Sequence, residues 1–186
     1  MPTAKTSHSH PLRIDNLPIK GVSGVIGLTF CPGKKQRVAL TGQWDRDLFV
    51  DLQAIKSSGA KALVTLMETV ELAKVQVPVS ELRDKTGALG IEWHHLPIRD
   101  VDVPDDEFEN QWETSGPRLR SLLLEGNKIV IHCLGGLGRT GTIAARLLVE
   151  FGASPAEAIK AVRIARTGSI ETAQQENYVK QITSLS

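Results

Sequence analysis

Blocks of apolar residues alternate along the chain with blocks in which apolar residues recur at helical spacing. Mostly apolar runs at residues 24–30, 61–67 and 128–133 are typical of strands buried on both faces, and residues 91–98 indicate a fourth strand. Helical spacing predicts helices over about residues 45–58, 78–89, 105–125, 138–151, 155–166 and 171–185, with an interruption of the third near Gly116 and Pro117. This alternation is typical of α/β proteins.

Length and composition fit one globular domain. The 186 residues are 41% hydrophobic and carry a formal net charge of +1, which argues against a general nucleic-acid binder or membrane-surface binder. No apolar stretch reaches the roughly 18 residues of a membrane-spanning helix. Because the first residues lack the apolar region of a signal peptide, we expect residues 1–20 to be a disordered lead-in and residues 21–186 to form the domain.

Cysteine and histidine usage favours a protein without metal or disulfides. Two cysteines are too few for a disulfide framework and indicate a reducing compartment, so we expect a cytoplasmic protein. His94 and His95 are adjacent on a predicted strand and point to opposite faces, so they cannot chelate one metal ion together. We therefore expect no metal and no cofactor. From the balanced charge described above we expect no nucleic-acid or membrane partner, and we expect a monomer.

The segment IVIHCLGGLGRTG, residues 129–141, places a cysteine before several glycines and an arginine six positions later. Its glycines also spell G-x-G-x-x-G, but a dinucleotide site needs a further strand with an acidic residue about twenty positions on, and only helical material follows. The other simple interpretation is a glycine turn with an inert buried cysteine. That interpretation does not explain a cation at the start of a helix, where the helix dipole favours anions.

An anion bound by this loop explains the whole segment. Glycines allow consecutive backbone N–H groups to point inward, and the first turn of the following helix adds its own N–H groups. Arg139 can donate two hydrogen bonds to two oxygens of the same anion. Cys133 lies at the base of this positive site, which favours the thiolate and makes it a nucleophile for a bound phosphate.

The motif His132-Cys133-x5-Arg139-Thr140 resembles the signature of cysteine-dependent dual-specificity phosphatases, most of all the cyclin-dependent-kinase-associated phosphatase (kinase inhibitor 3) family. Residues 94–105 are similar to that family's general-acid segment, residues 171–179 to its water-positioning segment, and residues 30–33 and 71–72 also fit. A rhodanese-like sulfurtransferase, the remaining alternative, gives no role to these other segments. The resemblance implies a single-domain, tyrosine-phosphatase-like fold with a mostly parallel central sheet of about five strands flanked by helices.

The loop residues divide into a nucleophile, a phosphate-binding cradle and supporting groups. Cys133 is the predicted nucleophile, and Arg139 is predicted to bind the phosphate more tightly in the transition state than in the ground state. Thr140 can donate its hydroxyl to the cysteine sulfur, and the resemblance gives His132 the role of ordering the loop. Backbone N–H groups complete the predicted phosphate cradle at Leu134, Gly135, Gly136, Leu137, Gly138 and Arg139.

Outside the loop, an acid and a glutamine complete the predicted site. The leaving oxygen needs a proton, and alignment of the segment LPIRD with the family pattern indicates Asp100 as the acid, with Asp102 as the alternative. The resemblance assigns water positioning to Gln175. At Glu171 the family has a second glutamine, so this residue is either a modified water-positioning group or a cap of the last helix.

These features predict a phosphomonoester hydrolase that acts on phosphotyrosine, phosphoserine or phosphothreonine in proteins. The alternatives are a phosphatase for a small phosphate ester or a phosphoinositide, and a non-catalytic phosphate-binding scaffold. Aromatic residues make up only 4% of the chain, so we expect a shallow site without an aromatic wall. Lys34, Lys35 and Arg37 form a small basic cluster that could contact an acidic partner, although we expect a solvated loop.

Overall fold

The computed structural model describes residues 4–185, which fold into an α/β domain around one five-stranded sheet. Its strands are β1 (Asp15–Pro18), β2 (Val25–Phe30), β5 (Ala60–Thr65), β6 (Glu92–His95) and β7 (Lys128–Cys133), and a two-stranded hairpin adds β3 (Lys35–Gln36) and β4 (Trp44–Asp45). The sheet order is β1-β2-β7-β5-β6, in which only β1 is antiparallel to its neighbour. The predicted mostly parallel sheet is confirmed.

Seven helices accompany the sheet within residues 4–185. They are α1 (Leu48–Ser57), α2 (Thr69–Lys74), α3 (Val79–Ala88), α4 (Asp106–Leu124), α5 (Gly138–Glu150), α6 (Pro155–Ala165) and α7 (Ala173–Gln181). Asp47 and Asp105 cap α1 and α4 by accepting a backbone N–H of the first turn. Ser154 with Glu157 forms the predicted capping box of α6. In this part of the chain no helix is both long and apolar enough to cross a bilayer.

Strand β7 and helix α5 form the centre of the molecule. Ile129, Val130 and Ile131 of β7 are completely buried between β2 and β5, and every residue of α5 is buried. The turn from β7 into α5 therefore lies at the carboxyl end of the central strand. In open α/β sheets this edge is where ligands bind.

Residues 4–20 are folded, so the prediction of a disordered lead-in is wrong for them, while residues 1–3 lie outside the described part. Strand β1 pairs with β2, and the apolar side chains of Leu12, Leu17 and Ile19 are buried in the core. Burial of these three side chains stabilises a segment whose composition is otherwise polar, and Arg46 also donates hydrogen bonds to the carbonyls of Thr6 and His10.

Helix α4 is continuous, which corrects the predicted interruption near Gly116 and Pro117. Phe108, Trp112 and Leu119 are buried on both sides of the proline, so packing holds the helix together despite the lost backbone hydrogen bond. A side chain at position 116 would place its Cβ 2.7 Å from the indole nitrogen of Trp112, which explains the glycine. The short elements α2, β3 and β4 were not predicted, and the last helix begins only after Thr172, its N-cap.

Candidate active site

The loop between β7 and α5 turns around the sulfur of Cys133. The backbone N–H of Gly136 donates a hydrogen bond to Cys133 Sγ at 3.2 Å, and the cysteine is buried. Gly136 has a φ of +72°, and a Cβ there would lie 2.2 Å from the carbonyl oxygen of Thr29. Only glycine fits this position, because both the left-handed backbone and the contact with β2 exclude a side chain.

The carbonyl groups of the loop point away from the sulfur toward two cations. Leu134 O accepts a hydrogen bond from Lys34 Nζ at 3.3 Å, and the carbonyl oxygens of Gly135 and Gly136 accept from Arg166 at 3.2 and 2.6 Å. In a trans peptide the C=O and the following N–H point in opposite directions. The N–H groups that follow these three carbonyls therefore point to the opposite side of the loop, and that of Gly136 points at Cys133 Sγ, where an anion could accept it.

Arg166 ties this loop to the edge of the sheet. Its guanidinium forms a partly buried ion pair with Asp15 of β1 at 2.7 Å while it donates to the two loop carbonyls. The N-terminal strand thus contributes to the geometry of the loop. The sequence analysis missed both residues, because 151 positions separate them and neither lies in a motif.

Arg139 is fixed by two acidic residues from separate segments. Glu71 of α2 accepts from both terminal nitrogens of the guanidinium at 2.7 and 2.9 Å, and the carbonyl of Ile98 accepts a third hydrogen bond at 2.9 Å. Asp100 accepts from Nη2 at 2.8 Å. Burial disfavours the charge of Arg139, but its hydrogen bonds to Glu71 and the nearby carboxylates outweigh it and raise the pKa.

Asp100, not Asp102, faces Arg139. The Asp100 side chain is 61% exposed and touches Arg139, so it can reach an ester oxygen at the mouth of the site. Asp102 Oδ1 instead accepts hydrogen bonds from the N–H of Val103 at 2.8 Å and from Gln174 at 3.1 Å. Its exposed position at the mouth of the site, beside Arg139, makes Asp100 the better placed of the two carboxyl groups to reach a leaving oxygen.

Gln175 and Glu171 lie against the start of α5. Gln175 is fully buried; its Oε1 accepts from the N–H of Glu171 at 2.9 Å, and its Nε2 donates to the carbonyl of Asp102 at 3.2 Å. A Cβ added to Gly138 would lie 2.4 Å from Glu171 Oε2 and 3.0 Å from Gln175 Nε2. Glu171 therefore contacts the loop, and Thr172, not Glu171, caps the last helix.

His132 and Thr140, the two polar residues that flank the Cys133–Arg139 segment, are both buried. His132 Nε2 hydrogen-bonds with Thr65 Oγ1 at 2.8 Å, and the same hydroxyl oxygen accepts from Trp93 Nε1 at 2.9 Å. Burial lowers the pKa of His132 to about 3, so the ring is neutral and is a structural group. Thr140 Oγ1 is buried and makes no hydrogen bond to any residue in the range 4–185.

Phe30, Lys34 and Trp44 line one side of a cavity of about 770 Å³ that includes Cys133 and Arg139. The rings of Phe30 and Trp44 lie 5.2 Å apart, so the expectation of a site without an aromatic wall is wrong. Lys34 is 4% exposed, which also corrects its expected place in a solvated loop. The hairpin formed by β3 and β4 places Trp44 next to Phe30 of β2. Local sequence patterns do not predict such a contact between residues 14 positions apart.

Comparisons with known proteins agree with this geometry. A family model described as "Tc-R-P: Polymorphic toxin system, DSP-PTPase phosphatase" matches residues 45–153. Cyclin-dependent kinase inhibitor 3 of Rattus norvegicus is 35% identical over 176 residues, which are 92% of this chain and 78% of that protein. Among solved structures, the chain is similar to kinase associated phosphatase (KAP) with its catalytic-site cysteine replaced by serine, with a TM-score of 0.79 and 32% identity. The alignment covers 91% of this chain and 92% of the KAP chain. The active form of Tk-PTP has a TM-score of 0.66 and 28% identity over 90% of this chain and 95% of its own.

Proposed function

The chain belongs to the dual-specificity protein phosphatases, and on that premise we propose that Cys133 is the nucleophile with which it hydrolyses phosphoproteins. The observation that carries the proposal is the position of Cys133 Sγ inside a turn of inward N–H groups, in the same cavity as the fixed guanidinium of Arg139. The N–H groups and the guanidinium can bind the oxygens of a phosphate dianion, and the sulfur is then placed to attack its phosphorus.

The first step transfers the phosphoryl group to the protein. The Cys133 thiolate attacks phosphorus, an S–P bond forms, and the P–O bond to the substrate breaks. Asp100 gives its proton to the departing oxygen, which leaves as the free hydroxyl of the substrate. Arg139 and the loop N–H groups stabilise the charge on the equatorial oxygens of the transition state.

The second step returns the free protein. A water molecule attacks the phosphorus of the phosphocysteine and gives its proton to the Asp100 carboxylate, while the S–P bond breaks. Gln175 and Glu171, which lie at the Gly138 end of the loop, orient that water. Thr140 donates its buried hydroxyl to the departing sulfur and stabilises the thiolate.

The substrate class follows from the family and from the cavity. The aromatic pair Phe30 and Trp44 beside Cys133 supports binding of a phosphotyrosine ring, and the open side of the cavity also admits phosphoserine and phosphothreonine. The related proteins are named for a kinase, so a phosphorylated protein kinase is a substrate and partner that we propose to include in the tests.

The deciding experiment compares wild type with Cys133→Ser. Wild type should hydrolyse a phosphotyrosine peptide, a phosphothreonine peptide and p-nitrophenyl phosphate, and rapid acid quenching followed by mass spectrometry should find the phosphoryl group on Cys133. The serine variant should show no turnover and should still bind vanadate, since Arg139 and the loop N–H groups are unchanged.

Cys31→Ser is the matched control because it removes the other buried thiol. This control should keep turnover. Turnover by Cys133→Ser, or a phosphoryl group on another residue, would contradict the proposed nucleophile. Preference for a phosphoinositide over every phosphopeptide in the panel would contradict the proposed substrate class.

A further inference from the structure

Lys34 is a buried cation in the cavity wall that the two-step mechanism does not use. Its Nζ lies 4.4 Å from the centroid of the Trp44 ring and 4.7 Å from that of Phe30. Its one hydrogen bond, at 3.3 Å, goes to the carbonyl of Leu134. An ammonium group has three N–H donors, so two of them have no acceptor within the described part of the chain.

Each of the two arginines in the same cavity wall has a carboxylate partner, whereas Lys34 has none among the residues that the structure describes. Arg139 pairs with Glu71 and Asp100, and Arg166 pairs with an aspartate of β1. Among residues 4–185 no carboxylate oxygen lies within 4.0 Å of Lys34 Nζ. Burial lowers the pKa of Lys34 to about 8, as expected for a charge that is removed from water without an anion beside it.

The backbone that presents Lys34 is held rigidly. The N–H of Gly33 donates to Asp51 Oδ2 at 2.9 Å, and Asp51 forms a fully buried ion pair with Arg46. Gly33 has a φ of +74°, and a Cβ there would lie 2.6 Å from Leu48 Cβ. The side chain of Lys34 therefore enters the cavity from a fixed starting point, and little ordering is needed when it binds a ligand.

Charge in the cavity is divided between its two ends. Lys34 contacts Leu134, the first residue after Cys133, whereas Glu171 lies against Gly138, where α5 begins. An anion beside the phosphate is thus attracted at the Leu134 end and repelled at the Gly138 end. The aromatic rings around Lys34 exclude water, which strengthens an ion pair formed there.

We propose that Lys34 binds a second anionic group of the substrate, a carboxylate or a second phosphate on a side chain next to the phosphoresidue of a phosphopeptide. This assignment rests on the proposed function, because it concerns the substrate that Cys133 attacks. It makes Lys34 a specificity-determining residue: it selects among phosphopeptides and leaves the chemical steps unchanged.

The test measures kcat/KM for a set of phosphotyrosine peptides. At each of the two positions before and after the phosphotyrosine, one peptide carries Glu, one Gln and one phosphoserine. Wild type should favour Glu or phosphoserine over Gln by about tenfold or more on one side of the phosphotyrosine, the range expected for a hydrogen bond between charged groups. The Glu and phosphoserine arms distinguish the two sources of the anion.

Two lysine variants and a control isolate the residue. Lys34→Met, of similar length, should abolish the discrimination, and Lys34→Arg should restore part of it. Lys35→Met is the matched control, because it removes the neighbouring lysine. Unlike Lys34, Lys35 is exposed and already has a carboxylate partner, Asp45, at 3.6 Å. With p-nitrophenyl phosphate, which has no second anion, Lys35→Met should stay within about twofold of wild type. The two Lys34 variants lose the hydrogen bond to Leu134 or alter it, but they should lose less activity with this substrate than with the Glu and phosphoserine peptides.

Each alternative outcome has a separate meaning. Equal turnover of Glu and Gln peptides by wild type overturns the proposal without use of any variant, so the test does not depend on the folding of Lys34→Met. An equal loss with p-nitrophenyl phosphate and with all peptides would show that Lys34 acts on the loop or the thiolate, which also overturns it. Failure of wild type to hydrolyse any substrate would instead refute the proposed function.

Discussion

Replacement of Asp100 by Asn gives the sharpest test of the proposed acid. The asparagine keeps the size of the side chain but has no proton to give to the leaving oxygen. We expect kcat to fall by about two to four orders of magnitude on a phenyl phosphate, whose leaving group needs protonation. A dinitrophenyl phosphate, whose leaving group departs without a proton, should lose much less.

The same substitution should strengthen the binding of a phosphate mimic. In the free protein, Asp100 Oδ1 occupies Arg139 Nη2 at 2.8 Å, so an incoming anion competes with this carboxylate. Because the Asp100 side chain is 61% exposed, the ion pair contributes only about 0.2–1 kcal/mol. Its removal should therefore lower the inhibition constant of vanadate by up to about fivefold.

Asp102→Asn is the control for both measurements. The Asp102 carboxylate contacts Val103 and Gln174, away from the guanidinium, so this variant should retain its kcat and its affinity for vanadate. The reasoning is refuted if Asp102→Asn shows the dependence on the leaving group, or if Asp100→Asn slows both substrates equally. Weaker vanadate binding by Asp100→Asn would show that the ion pair orders Arg139 and does not compete with the ligand.

Three further predictions use the same structure. Gly136→Ala should lower the free energy of unfolding by more than about 1 kcal/mol and abolish turnover, since the φ of Gly136 is +72°. Gly135→Ala is the control: a Cβ there meets nothing within 4 Å, so its free energy of unfolding should change by less than about 0.5 kcal/mol. Urea unfolding measures both variants. Burial lowers the pKa of His132 to about 3, against 6.5 in the unfolded chain, so the unfolded chain takes up the proton first and the folded state loses stability as the pH falls from about 7 toward 3. Between about pH 7 and pH 5, wild type should therefore lose about 2 kcal/mol more of its free energy of unfolding than His132→Asn does. Asp15→Asn should raise the inhibition constant of vanadate, because Arg166 then loses the partner that fixes it on the loop carbonyls; an unchanged constant would mean that β1 does not support the site.

Local sequence was sufficient for the central part of the fold. The apolar runs of β2, β5 and β7 and the helical spacing of α1, α3, α5 and α6 predicted those elements within a few residues, since each depends on its own periodicity and caps. The cysteine, glycines and arginine of the loop lie within seven positions, so their chemistry was readable directly and the resemblance to dual-specificity phosphatases followed. One requirement within this loop was not visible in the local sequence: a side chain at Gly136 would clash with the backbone of Thr29 in β2.

Tertiary structure alone decided what surrounds that loop. Glu71 reaches Arg139 across 68 positions, and Asp15 reaches Arg166 across 151, and no periodicity links residues so far apart. The resemblance indicated Asp100 and left Asp102 as the alternative, and only the folded structure shows that Asp100 is the carboxylate that contacts Arg139. The sequence by itself predicts a nucleophile and its cradle, because a phosphate is small enough for one continuous turn to surround it. The carboxylates that contact Arg139 and the walls of the cavity come from segments far apart in the chain, and only folding brings them within hydrogen-bonding or contact distance.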